Sequence, residues 1–284
     1  MKAQNASVAV QTSEFAWTDA DFDRIQSLIY QRAGINLHDG KHAMVYSRLS
    51  RRLRETGYTS FNEYLGWLQN HDGPEWQEFV NALTTNLTSF FREHHHFEIL
   101  ADYLKKRPSS GVCRVWCNAA STGEEPYSIA ITLMESMSSR QAYQLVASDI
   151  DSKVLASAEK GVYRLDGLKD IGEERLQRFF MRGTGANEGM VRVKPELRQS
   201  IQFINVNLIK DGWPFQEPFD VVFCRNVMIY FDKPTQYTIL KRFMPLLKQD
   251  GLLFAGHSES FLHAADIFRS LGRTVYERTD ARAR

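Results

Sequence analysis

At 284 residues, with 43% hydrophobic and 24% charged side chains, the chain has the composition of a globular protein of one large or two modest domains. A net charge of +1 gives no global reason to expect nucleic acid or an anionic membrane surface, and no apolar run is long enough to span a bilayer. Three cysteines and the lack of a signal-peptide h-region point to reduced thiols in a cytoplasmic protein.

Residues 1–16 read as a disordered tail. Thr18 with Asp21 forms a capping box, Phe22, Ile25 and Ile29 share a helical face, and Gly34 is a stop. A second helix, about Lys41 to Glu55, puts Val45, Leu49 and Leu53 on one stripe. Lys41, Arg48, Arg51 and Arg52 fall in an arc beside it that holds no acid, while Arg54 points elsewhere. Such an arc is either a solvated face or a docking surface for an acidic partner. Ser60 and Glu63 cap a third helix bearing Phe61, Tyr64, Leu65 and Leu68. Trp76, Phe79, Val80 and Leu83 mark a fourth. These elements define an all-helical domain over residues 17–70 and a linker helix and junction over 71–92. In the junction, TTNLTSFFR crowds polar side chains around Leu87, Phe90 and Phe91, as at a ligand cleft. Three consecutive histidines, His94 to His96, point about 100° apart on a helix and cannot all bind one ion, so no metal is expected.

From residue 93 to 284 the pattern is strand and helix in alternation. Strands are expected at Cys113–Cys117, Tyr143–Ser148, Ile201–Val206, Phe219–Cys224, Gly251–Ala255 and Thr274–Arg278, with a helix over Pro234–Leu247. Asp151 suits the N-cap of a helix from Ser152 to Lys160. Phe179–Glu196 reads as a hairpin around a glycine-rich turn, giving a small antiparallel insert at about 178–200. The fold class is therefore α/β, a doubly wound sheet with a β insert, following an N-terminal all-helical domain.

The stretch GVCRVWCNAASTGEEPYSIA organises this second domain. Strand, polar loop and helix follow one another, and such a loop lies at the carboxyl end of its strand, where ligands bind. It has one glycine, Gly123, followed by Glu124 and Glu125, so it does not suit a pyrophosphate. Negative charge there favours a cationic ligand, such as a sulfonium. The alternative is that the glutamates are solvated first-turn residues, the better reading for Glu124. Asp149 ends the second strand, where nucleoside-binding sheets hold ribose hydroxyls.

NALTTNLTSFFRE, STGEEPYSIA, ASDID, NVNL, FCRNVMIYF and LLFAGHSES occur in an order that resembles the bacterial chemotaxis receptor methyltransferases of CheR type, from about residue 18 onward. The resemblance implies a Rossmann-like methyltransferase domain that binds S-adenosylmethionine. It implies that Asn86, Thr88 and Arg92 face the cofactor, Glu125 holds its methionine part and Asp149 its ribose. Asn207 and Leu208 would flank the adenine, and Arg225 with Asn226 would close the site. It further implies methylation of glutamates on the cytoplasmic helical region of receptors, met by Lys41, Arg48, Arg51 and Arg52. MRGTGANEGMVRV looks like the insert of members that also dock on a receptor's C-terminal pentapeptide. Arg92 and Tyr230 are the candidates for aiming the acceptor carboxylate, against readings as a capping arginine and a core aromatic. A monomer is expected, without nucleic acid and without membrane insertion. A nucleic-acid methyltransferase would need a basic channel and a [DNS]-P-P-[YFW] or Pro-Cys motif, which the chain lacks. A non-catalytic adaptor would have no use for the intact site residues.

Overall fold

The computed structural model describes residues 14–107, 111–138 and 141–280. Backbone contacts divide the chain into two units: residues up to Arg32 with Leu37–Leu83, and Ala33–Asn36 with the residues from Thr84 onward.

The first unit holds α1 (Asp19–Ala33), α2 (His42–Thr56), α3 (Phe61–Asn70) and α4 (Pro74–Leu83). Its starts are set by side chains. Thr18 N donates to Asp21 Oδ2 at 3.0 Å while Asp21 N donates to Thr18 Oγ1 at 3.2 Å, a reciprocal box. Ser60 caps α3 by accepting from Glu63 N. The apolar stripes expected on the four helices are buried. The helix α4, read from the sequence as a linker, packs within this unit: Arg32 lies over the Trp76 ring, and Glu75 accepts from the Tyr64 hydroxyl at 2.8 Å.

The cationic arc on α2 is not free of acid. Arg52 is largely buried and pairs with Glu75 at 2.5 Å and with Glu55, and Arg51 pairs with Glu55 at 2.9 Å. Helical spacing missed this because Glu75 arrives from α4, and Glu55 reaches back one turn. Arg54 points elsewhere, as expected, and meets Glu14 at 3.0 Å. Most of the expected tail lies outside the described residues; at its described end Phe15 packs edge-on against Phe61.

The second unit contains β1 (Cys113–Cys117), β2 (Tyr143–Asp149), β3 (Val162–Arg164), β4 (Phe180–Arg182), β5 (Met190–Val193), β6 (Ile201–Asn205), β7 (Phe219–Cys224), β8 (Leu247–Ala255), β9 (Phe268–Gly272) and β10 (Val275–Arg278). The main sheet runs β6-β2-β1-β7-β8-β10-β9. Its first five strands are parallel, and β10 is antiparallel to both neighbours. Strand order reverses at β1, so the crevice at the ends of β1 and β7 is a topological switch point. Alternate residues face opposite cores: Cys113, Val115 and Cys117 lie under α5 (His95–Lys106) and α6 (Glu124–Ser136), while Trp116 faces the other way. There, α10 (Lys233–Phe243) covers the sheet. All three cysteines are buried and free.

Several elements differ from expectation. The last helix stops at Phe243 because Pro245 follows, and β8 begins at Leu247. The strand β9, not anticipated, pairs with β10 as a hairpin. The insert is a three-stranded sheet, β3-β5-β4, because Val162–Arg164 joins the expected hairpin after α7 (Ser152–Lys160). Two short helices, α8 (Glu173–Phe179) and α9 (Pro195–Arg198), flank that hairpin.

Candidate active site

The loop after β1 is tied to both neighbouring strands. Asn118 N donates to Phe223 O, and Ala120 N donates to Ser148 O. Gly123 then takes φ 103°, and a Cβ there would lie 2.7 Å from the Tyr163 hydroxyl. Glycine is required both for that backbone and for that space. It is the residue before α6, which starts at Glu124. Glu124 is half-buried and accepts from Thr122 Oγ1 at 2.6 Å, so it is not the solvated group expected.

Asp149 closes β2 with one backbone N–H on each oxygen: Ser121 N at 2.8 Å and Asp151 N at 2.9 Å. Burial pushes its carboxyl up to about 6 in spite of those bonds. Each oxygen keeps a lone pair for a further donor. Asp151 caps α7, as expected, through Lys153 N and Val154 N. It also accepts from Thr84 Oγ1 at 2.7 Å and Asn86 Nδ2 at 2.9 Å, which pins the TTNLTSFFR segment to the end of β2. Asn205 Nδ2 donates to Asp149 O, and Asn207 Oδ1 accepts from Ile209 N, so the turn after β6 lies against the same edge with Leu208 buried.

Beneath the loop lies an ion cluster. Arg225, at the end of β7, donates from Nη1 to Glu125 Oε2 and from Nη2 to Arg92 O, both at 2.5 Å, and its Nη2 is 3.2 Å from Glu93 Oε2. Its side chain is wholly buried, so it braces the floor of the site and presents no charge to a ligand. Burial pushes the Glu125 carboxyl up although Arg225 pulls it down, and Glu93 and Glu259 add repulsion. For Glu93 the balance reverses: burial raises it, but Arg225 and His257 hold it at about 2. Two carboxyl groups, Glu93 and Glu125, thus share one buried guanidinium, and acids outnumber cations in the pair of contacts. Glu93, His95 and His96 bring donor atoms within 4.8 Å of one another, yet Arg225 and His257 already engage Glu93.

Arg92 stands between two non-glycine residues in left-handed backbone, Phe91 (φ 52°) and Glu93 (φ 58°). Such strain is typical of functional sites. The half-buried guanidinium donates from Nη1 to Leu87 O at 2.9 Å. The Tyr230 hydroxyl donates to Thr85 O at 3.3 Å. Thr88 is half-buried on the same segment.

Residues 86–277 match the family described as CheR methyltransferase, SAM binding domain, and residues 20–84 match its all-alpha domain. The chain belongs to the CheR methyltransferase family. It is 54% identical to the chemotaxis protein methyltransferases of Salmonella typhimurium and Escherichia coli over 275 residues, covering 96% of this chain and 95% or 96% of theirs. It is 50% identical to chemotaxis protein methyltransferase 2 of Pseudomonas aeruginosa over 97% of this chain and 99% of that one.

S-adenosylmethionine is the cofactor of a CheR SAM-binding domain, and the residues present fit it. Asp149 offers acceptors suited to a pair of ribose hydroxyls, and Glu93 with Glu125 outnumber the one guanidinium between them, an acidic balance that suits a sulfonium. Asn118 is 2% exposed, and neither Oδ1 nor Nδ2 finds a hydrogen-bond partner of ordinary geometry among the described residues, a polar group left open beside the loop. The fold therefore gathers Asn86, Arg92, Glu125, Asp149, Asn207, Arg225, Asn226 and Tyr230 at the strand ends. Lys41, Arg48, Arg51 and Arg52 belong to the helical unit. Sequence reasoning missed the second role of Asp151, the brace formed by Arg225, and Glu259. The available signal for the last was a lone acid four residues past a core strand.

Proposed function

We propose that this protein transfers the methyl group of S-adenosylmethionine to glutamate side chains on the cytoplasmic helical region of chemotaxis receptors. The products are glutamate methyl esters and S-adenosylhomocysteine, the chemistry of a protein-glutamate O-methyltransferase in sensory adaptation. The observation that carries this reading is the convergence of Arg92 and Tyr230 on carbonyls of Leu87 and Thr85. Those carbonyls belong to residues two apart, at most about 7 Å along an extended chain. A fork of N–H donors and a hydroxyl so placed would orient an acceptor carboxylate.

The cofactor supplies an electrophilic methyl on a positive sulfur. A glutamate acceptor is already ionised at neutral pH, with a reference pKa of about 4.3, so the chain needs no general base. Asp149 would hold the ribose, Asn207 and Leu208 the adenine, and Glu125, kept in place by Arg225, the cationic end. Asn86 and Thr88 would line the approach. Orientation and exclusion of water from an ion pair that is neutralised on reaction supply the rate.

Lys41, Arg48 and Arg51 would meet the acidic receptor helices, while Arg52 serves chiefly to hold α4. The insert leaves the edges of β3 and β4 unpaired within its sheet, and an extended receptor tail such as a C-terminal pentapeptide would add to one of them. Working as a cytoplasmic monomer at receptor clusters completes the proposal.

The test is incubation with labelled S-adenosylmethionine and receptor-bearing membranes, followed by alkali. Release of labelled methanol from the receptor band is expected. Label that resists alkali would overturn the ester assignment.

A further inference from the structure

Glu259 is 5% exposed and follows β8 in the turn Gly256–Glu259. Its carboxylate makes no ion pair among the described residues; it accepts backbone N–H groups instead. Oε1 takes Val227 N at 2.9 Å and Met228 N at 2.8 Å. Oε2 takes Asn226 N at 2.9 Å and Gly256 N. Three successive amides of the turn after β7 therefore point at one side chain, an anion-binding concavity filled by the Glu259 carboxylate.

Asn226 has φ 57°, the left-handed region that asparagine enters more readily than most side chains, and this turns its N–H toward Glu259. Gly256 makes the close approach possible: a Cβ there would lie 2.3 Å from Asn226 Nδ2 and 2.9 Å from Glu259 Oε2. The short helical turn Met228–Tyr230 follows directly, and its last residue reaches Thr85 O. Gln236 Nε2, donating to Met228 O and Phe231 O, fixes the far side.

We infer that Glu259 is a positioning residue for methyl transfer: its carboxylate clasps the amides of residues 226–228 and so sets where the Tyr230 hydroxyl stands. It acts through Tyr230 and touches neither cofactor nor acceptor. This inference rests on the proposed aiming role of Tyr230. Glutamine at 259 would turn an amide N–H₂ toward backbone donors, replacing attraction by repulsion at one oxygen site. Aspartate keeps the charge on a shorter stem.

The experiment compares wild type, Glu259→Gln, Glu259→Asp, Tyr230→Phe and the Gln/Phe double variant. Turnover with receptor membranes is counted per cofactor-binding site, and cofactor affinity is measured by calorimetry. Normalising to sites removes any unfolded fraction. Turnover per site is expected to fall about tenfold or more in Glu259→Gln, in proportion to lost orientation. Cofactor affinity should change far less, Glu259→Asp should recover part of the turnover, and the loss should shrink in the Tyr230→Phe background. Unchanged turnover per site in Glu259→Gln, or equal losses in both backgrounds, overturns the inference while leaving Tyr230 in its role. Full turnover in Tyr230→Phe removes the aiming role itself, and this inference with it.

Discussion

Arg225 Nη1 lies 2.5 Å from Glu125 Oε2, with the guanidinium wholly buried and the carboxylate nearly so. Breaking such a pair strands a charge in a low dielectric, at about 3–5 kcal/mol. Arg225→Met should therefore destabilise the α/β unit by roughly that amount. The pH dependence has a definite sign. Without Arg225, burial raises the Glu125 carboxyl further above its unfolded value. A raised carboxyl contributes stability at low pH that is lost as pH rises. Urea denaturation of the variant should show a larger deficit at pH 8 than at pH 5.

Asp149 titrates near 6 because burial outweighs its two backbone N–H bonds. Hydroxyl donors from a bound nucleoside favour its ionised form, so binding below that value must release a proton. S-adenosylmethionine affinity is expected to rise between pH 5 and 7 in the wild type. Asp149→Asn should bind weakly, with that rise abolished. Calorimetry across the range checks both, and an unaltered slope in the variant removes Asp149 from the ribose.

Arg92 is offered by strained backbone at Phe91 and Glu93, while its side chain bonds only a carbonyl, Leu87 O, among the described residues. Arg92→Ala should lower methyl transfer by about 100-fold, the loss typical of one oriented donor. Cofactor affinity should fall much less. Equal losses in turnover and calorimetry would make Arg92 a cofactor ligand alone.

Gly123→Ala places a methyl 2.7 Å from the Tyr163 hydroxyl on backbone at φ 103°. Overpacking and strain each cost on the order of 1–3 kcal/mol. The melting temperature should drop by several degrees, and cofactor affinity with it, since the loop that carries Ser121 must shift.

The helix α2 and the turn before it carry two kinds of cation. Arg51→Glu with Lys41→Glu should weaken receptor methylation at low salt and leave the fold and cofactor binding intact. Arg52→Glu should instead destabilise the helical unit, because Glu75, Glu78 and Glu55 would then face a fourth carboxylate. Circular dichroism melts beside methylation assays separate the two effects.

Much was legible in the chain alone. Periodicity marks strands and helices because alternation and a 3.6-residue repeat are local properties. Thr18 with Asp21, Ser60 and Asp151 announce helix starts for the same reason. The acids at the ends of β1 and β2 could be read as a cofactor crevice because strand ends converge in a doubly wound sheet. The partners of those acids could not. Arg225 is 100 residues from Glu125, and Glu75 is 23 from Arg52. Whether a charge is bare or paired depends on which elements the fold brings together, so sequence gave its place and sign, and tertiary structure decided its state. The same holds for Glu259: a lone acid in the sequence becomes an anchor only because β7 and β8 lie side by side in the sheet.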